Sequence, residues 1–261
     1  MTQEPDENVI SSNGIRVSVC MATYNGASFI REQIASILPQ LAENDEFVIV
    51  DDASADDTVN IIESFRDRRI LIVQQERNQG VVQSFGRALK QARGEIIFLA
   101  DQDDVWRADK VNAFLEAFSA HSDWNVVVSD LVVIDAEGNL APQPKSASRK
   151  FHRGLFRTLV QNGYQGSAMA FRRSILGYCL PFPADIPIHD VWIGLVNWFV
   201  GEAGFIAEPL LLYRRHGNND SPSVHPPLMQ MLRWRWSLVK NLAWRYLRTR
   251  AFRRRLTAVS H

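Results

Sequence analysis

Short apolar runs alternate with helical stripes through the first half of this chain, and that alternation admits few folds. Arg16–Met21, Phe47–Asp51, Ile70–Gln74 and Glu95–Ala100 read as strands. Between them Ile30, Ile34, Leu38 and Leu41 recur at helical spacing, as do Val82, Phe85, Leu89 and Ala92. A shorter helix is expected over roughly Asp57–Arg66, capped by Asp56 or Asp57. Such βαβ units build a parallel sheet with helices on its faces. The strands exit into polar segments: Thr23-Tyr24-Asn25-Gly26, Asp51-Asp52-Ala53-Ser54 and Asp101-Gln102-Asp103-Asp104. All three then share one edge of the sheet, the edge where open α/β sheets hold ligands. Carboxylates converging there suit a hard divalent cation that is also bound by substrate phosphates. An Asp-rich turn facing solvent is the plainer alternative for the acidic cluster.

Beyond Trp106 the pattern changes. Val126–Asp130 and Leu131–Asp135 read as a strand and its continuation, Ala141–Arg153 as a mobile loop with two prolines and four basic residues, and Gly166–Arg172 as a strand. A helix begins near Asp190 after the Pro181–Pro187 loop, and Glu208–Arg215 is the last strand. Val191–Ala207 is apolar but interrupted by Asn197, Glu202 and two glycines, which makes it a poor membrane span. Cys20 and Cys179 stand far apart, so neither a disulfide framework nor a thiolate metal site is expected and the compartment should be reducing. Residues 1–14 are polar and acidic, without the apolar core of a signal peptide, and read as a flexible tail.

A net charge of zero conceals a split. Residues 228–261 hold nine Lys or Arg and no acid, leaving 20 basic against 29 acidic residues in 1–227. In the tail Leu232, Trp236, Val239, Ala243 and Tyr246 form one helical stripe, with Trp234 and Trp244 off it. Tryptophans among basic residues suit an interfacial helix on an anionic membrane surface. A helix packed on protein is the competing expectation, and nucleic acid is not expected as a partner because the acidic body would repel it.

In their order and spacing the motifs carry a resemblance. Thr23-Tyr24-Asn25, Asp51-Asp52-Ala53-Ser54, Asn78-x-Gly80, Gly94-Glu95, Asp101-Gln102-Asp103-Asp104-Val105-Trp106, Gly166, His189-Asp190 and Tyr213-Arg214-x-His216-x-x-Asn219 resemble family 2 glycosyltransferases of the GT-A fold, over about residues 15–220. The wording is similar to rhamnosyltransferase-like members that build bacterial surface polysaccharides such as O-antigen. The resemblance implies an α/β, Rossmann-like, mostly parallel sheet flanked by helices, here followed by the basic amphipathic tail. It implies inverting transfer from a nucleoside diphosphate sugar, dTDP-rhamnose or a UDP-hexose, to a lipid-linked (polyprenyl-diphosphate) or cell-surface glycan. The enzyme would work in the cytoplasm, peripherally on the inner face of the plasma membrane.

The same resemblance assigns roles. Thr23, Tyr24, Asn25, Asp51, Asp52 and Asp101 would bind the nucleotide, with Tyr24 stacking on the base, Asp51 or Asp52 accepting its ring N–H and Asp101 at the ribose. Asp103 and His216 would hold Mn2+ or Mg2+, and Asp104 would orient the loop. Asp190 would be the general base, although an aspartate just before Val191-Trp192-Ile193 is also where a helix cap belongs. Capping is an alternative for Asp52 and Asp56 too. Arg215, Trp106 and Gly166 would contact the diphosphate or the acceptor, His189 would pack or contact the acceptor, and the Arg214 guanidinium beside Arg215 suits a phosphate. The expected layout is a nucleotide-sugar half at 15–106, an acceptor and catalytic half at 107–220, and the tail at 221–261. One departure is Ser84-Phe85-Gly86, where many members carry Ala-Arg-Asn; Arg87 is adjacent but would point elsewhere on the helix. A sugar-nucleotide or glycan-binding module without catalysis is the alternative function, and it would not need Asp103, Asp190 and His216 together.

Overall fold

The structure is a computed structural model that describes residues 14–141, 158–159, 163–217 and 227–259, with side chains as far as 248. The N-terminal tail expected at 1–14 and the loop expected at Ala141–Arg153 therefore fall almost wholly outside the described residues, as does Asn219.

The parallel half forms as the apolar pattern requires. Strands β1 (Val17–Thr23), β2 (Glu46–Asp51), β3 (Ile70–Gln74) and β4 (Ile96–Ala100) are connected by helices α1 (Ile30–Ile37), α2 (Thr58–Glu63) and α3 (Val81–Gln91). Pairings β1–β2, β1–β4 and β2–β3 are all parallel, so Thr23, Asp51 and Asp101 leave the sheet along one edge. The strands read as continuous apolar runs because both faces of this half are covered; β1, β2 and β4 are almost wholly buried. Ile30, Ile34, Leu38 and Leu41 all lie in the core, the last two at the two ends of a 3-10 turn that begins at Leu38 and contains Pro39.

The second half adds β5 (Val105–Trp106), α4 (Lys110–Ala120), β6 (Trp124–Ile134), β7 (Met169–Arg172), α5 (Leu176–Cys179), α6 (His189–Val200) and β8 (Glu202–Arg214). One eight-stranded sheet results, in the order β3-β2-β1-β4-β7-β6-β8-β5, with antiparallel pairs β4–β7, β6–β7 and β5–β8. Three boundaries differ from expectation. The two segments read after Val126 are one strand, which absorbs register shifts near Asp130 against β8. Strand β7 begins at Met169 because Gly166–Ala168 curls into a 3-10 turn. Strand β8 starts at Glu202, since Gly201 ends α6 and parallel pairing with β6 recruits residues that carry no strand alternation of their own.

The tail is helix α7 (Leu228–Val259). It packs on the domain through Leu238 and Leu242, both buried, while Ser237 donates to the Asp185 carbonyl and Lys240 pairs with the Asp185 carboxylate. Among the described residues no helix is long and apolar enough to cross a membrane. Both cysteines are buried and free, and burial pushes both thiols up, Cys179 to about 12.

The edge of the sheet opposite the strand exits is pinned at Gly94. Its amide donates to the Ser18 hydroxyl at 2.7 Å, which donates to Glu46, itself held by Arg93. A Cβ on Gly94 would lie 2.4 Å from the Ser18 amide nitrogen, a backbone atom that cannot move aside. Gly94→Ala is therefore expected to destabilise the protein by at least about 2 kcal/mol in urea denaturation. Gly177→Ala, where nothing lies within 4 Å of the added Cβ, should be close to neutral.

Candidate active site

The loop from Asp101 to Val111 is held by a polar row on α1. Gln33 donates to the Asp101 carbonyl at 2.8 Å, Ser36 accepts from the Trp106 amide at 3.0 Å, and Gln40 bonds both the Arg107 carbonyl and the Val111 amide. Residues four and seven apart share a helix face, so one helix can satisfy a loop that makes few bonds of its own. Gln102 brackets the backbone of Tyr24 from both sides, accepting from its amide at 2.9 Å and donating to its carbonyl at 3.1 Å. That approach needs Gly26, where a Cβ would lie 2.3 Å from the Gln102 oxygen.

Asp103 and His216 meet across the sheet edge, His216 Nε2 lying 2.8 Å from Asp103 Oδ2, with Phe29 stacked on the imidazole. Arg214 is the residue that brings them together. It is 2% exposed, and its guanidinium donates to the Asp103 and Ala136 carbonyls and to Glu32, while its amide donates to the Asp104 carboxylate at 2.9 Å. Arg214 is thus an internal clamp and not a phosphate contact. Asp104 is buried as the loop-orienting residue, and burial pushes its carboxyl well above the usual range, reinforced by Asp101 and Asp103. Crowded carboxylates of this kind create a demand for a cation. Among the described residues no three His, Cys, Asp or Glu side chains are grouped to hold a metal ion unaided.

The other expected nucleotide residues divide. Tyr24 is 47% exposed and free to stack. The Asp51 carboxylate is taken by Thr23 and by the amide and hydroxyl of Ser54. Asp52 accepts from Gln75 and from the amides of Gln79 and Gly80, so it anchors the start of α3. Both are buried, and both organise the loops at this edge. Asn25 accepts from the Ala55 amide, and Asn25 and Ala53 lie at φ 48° and 64°, left-handed conformations at the two strand exits. The Asp56 carboxylate accepts from the Thr58 amide, serving the first turn of α2 from just outside it.

Asp190 is not the cap of α6. That position falls to Ile188, and Asp190 lies in the first turn, accepting from the Gly166 amide at 3.0 Å and the Val191 amide at 2.5 Å. A helix N-terminus favours the ionised carboxylate. The turn Gly166–Ala168 joins this carboxylate to the acidic loop through Lys110: Gly166 holds Asp190, and the Ser167 carbonyl accepts from Lys110 at 2.5 Å. Lys110 is fully buried over the Trp106 ring, and burial lowers its ammonium to about 7 against the opposing pull of Asp104 and Asp101.

Two expected contacts are instead packing. Trp106 is 3% exposed, tilted against Phe98 under Lys110, because β5 pairs inward with β8. His189 is buried with its ring stacked on Phe85 at 4.0 Å. Arg215 is exposed and lies over Tyr213. Gln102, Ser167 and Lys110 carry no role legible in the sequence, since a lone Gln, Ser or Lys has no spacing signal; Glu32, Gln33, Ser36 and Gln40 at helical spacing are such a signal.

The family model of glycosyl transferase family 2 matches residues 18–179. An uncharacterized glycosyltransferase of Nostoc sp. is 29% identical over 221 residues, which cover 80% of this chain and 68% of that protein. The UDP-Glc:alpha-D-GlcNAc-diphosphoundecaprenol beta-1,3-glucosyltransferase WfaP of Escherichia coli is 36% identical over 96 residues, 37% of this chain and 38% of its own length. The crystal structure of S. aureus TarS in complex with UDP-GlcNAc superposes with a TM-score of 0.70 at 20% identity, covering 89% of this chain and 67% of that one. This last likeness establishes the fold, which is GT-A.

Burial lowers the His189 imidazole from 6.5 to about 3, so it is neutral in the folded protein. The unfolded chain binds the extra proton between those values, so the stabilisation is complete above pH 6.5 and is lost as pH falls toward 3. Between pH 7 and pH 5 wild-type protein should lose about 2 kcal/mol more than His189→Phe, read from urea denaturation at both pH values.

Proposed function

The chain belongs to glycosyl transferase family 2, and from that premise we propose that it transfers a hexosyl or rhamnosyl group from a nucleoside diphosphate sugar, a UDP-hexose or dTDP-rhamnose, to a glycan acceptor with inversion. The observation that supports this most is the joining of two chemistries by one turn: the Gly166 amide holds the carboxylate of Asp190, and the Ser167 carbonyl beside it accepts from Lys110, whose ammonium lies in the field of Asp101 and Asp104, next to the Asp103–His216 pair.

Each residue then has a physical task. Asp103 and His216 offer one carboxylate and one imidazole, a donor set that fits Mn2+ or Mg2+ when a diphosphate and water complete the shell. A cation held there neutralises the charge that builds on the departing diphosphate. Tyr24 presents its ring to the base, and Asp101 stands at the strand end for the ribose. Asp190 takes the proton of the acceptor hydroxyl, and the Gly166 and Val191 amides that donate to it hold it still. A lipid-linked acceptor is in keeping with the substrate named for the E. coli relative.

Asp103→Ala should abolish cation-dependent binding of the nucleoside diphosphate in calorimetry. Asp190→Asn should bind it normally and turn over roughly two to four orders of magnitude more slowly. Normal turnover in Asp190→Asn, or cation-independent binding, would overturn the assignment.

Peripheral docking on the inner face of an anionic membrane is part of the same reading, supported by the outer face of α7. The stripe facing solvent is Leu232, Trp236, Val239, Ala243 and Tyr246, flanked by Arg233 and Lys240. Because Leu238 and Leu242 anchor the neighbouring face in the core, removing the tail would expose core, and surface substitution is the cleaner test. Leu232→Ser with Trp236→Ser should leave the melting temperature unchanged and strongly reduce co-sedimentation with anionic vesicles. Wild-type protein should lose that binding as salt rises past about 0.1 M, where the screening length is about 10 Å.

A further inference from the structure

The departure at Ser84-Phe85-Gly86 opens a groove that the nucleotide edge does not use. Phe85 turns inward onto His189, and Gly86 lets Phe182 approach α3 so closely that a Cβ would lie 3.3 Å from its ring. Arg87, on the next position of the helix, points outward. The space between α3 and the Leu180–Phe182 segment has a volume of about 300 Å³ and is lined by Gln79, Gln83, Arg87, Lys90, Pro181 and Phe182.

Its chemistry is specific. Arg87 and Lys90 stand one turn apart on the exposed face of α3, and neither forms an ion pair among the described residues. Carboxamides beside them suit hydroxyl groups, and Pro181 with Phe182 offers an apolar wall for the face of a sugar ring. The groove is closed toward the nucleotide edge by Gln75, whose amide is spent on Asp52 and Ser84. On its inner side Phe85 and Phe182 lie against His189, the residue next to Asp190. The outer wall is fixed to α7, where Arg245 donates to the Leu180 and Pro181 carbonyls at 2.8 and 2.6 Å.

We propose that this groove binds the anionic part of the glycan acceptor. A saccharide carrying phosphate or carboxylate lies along α3 with its charge on Arg87 and Lys90, so that a part of the acceptor remote from the reacting hydroxyl is held on the outer side of the aromatic layer over His189. The inference rests on the transferase reading and names the acceptor class for it.

The test uses the full chain saturated with UDP and Mn2+ and titrated calorimetrically with three probes: N-acetylglucosaminyl diphosphate bearing a short alkyl chain, a uronate tetrasaccharide without phosphate, and neutral chitotetraose. At least one anionic probe should bind more tightly than chitotetraose, and which one does so identifies the source of the charge. Arg87→Gln with Lys90→Gln should weaken that probe roughly tenfold, the worth of two exposed charge pairs, and leave chitotetraose, UDP affinity and donor hydrolysis unchanged. Equal binding of the anionic probe by wild type and variant, or its displacement by excess UDP, would overturn the proposal. If wild-type protein hydrolyses no nucleotide sugar while probe binding still depends on Arg87 and Lys90, the transferase reading fails and the groove stands as an anionic glycan site.

Discussion

A single buried guanidinium holds the chemistry of this protein in place. Arg214 comes from the last strand, yet its partners are the Asp103 carbonyl, the Asp135–Ala136 turn and Glu32 of the first helix, with Phe29 against its face. A buried cation is costly unless every donor is used, and here the donors are spent on backbone carbonyls that would otherwise be unsatisfied in a loop. The result is that His216, two residues on, is delivered to Asp103. Residues from both halves of the chain meet at this point, so the acidic loop cannot shift without breaking contacts to both.

The electrostatics of the site follow from the same crowding. Asp101, Asp103 and Asp104 press on one another, and Asp104 is pushed toward its neutral form first because it is the buried member. Lys110, beneath them, is pushed toward neutrality by burial while Asp104 and Asp101 pull it back. Asp190 is treated differently. Backbone amides and the start of a helix surround it, a setting that favours charge, whereas its neighbour His189 is stacked among aromatic rings and kept neutral. Adjacent residues thus have opposite environments, one suited to accept a proton and one suited to pack.

Helix α7 answers the choice between a membrane helix and a packed one by having two faces. Leu238 and Leu242 belong to the core of the domain, and Arg245 reaches across to Trp192 of α6 and to the Leu180–Pro181 segment. The apolar stripe that sequence periodicity singled out lies beside the buried face and is exposed at Leu232, Trp236, Val239 and Ala243, with Tyr246 at its end tilted against Phe199. A low overall amphipathicity is what two apolar faces on one helix must produce.

The sequence by itself determined the parallel half of the fold, because apolar runs at strand length and stripes at helical spacing are local signals, and the family motifs marked the sheet edge where Thr23, Tyr24, Asp101 and Asp103 lie. It also located Asp190 beside a helix start. What it left undecided was direction. Arg214 and Arg215 are neighbours of one type, but alternation along β8 sends the first inward as a clamp and the second outward. Asp51 and Asp52 read as open acceptors until the folded loops supplied Ser54, Gln75 and Gly80 to occupy them. Those partners stand up to 28 residues away in the chain, and Glu32 and Arg214 are separated by 182. Which carboxylates are used up inside and which remain for a substrate depends on such distant contacts, and only the tertiary structure brings them within hydrogen-bonding distance.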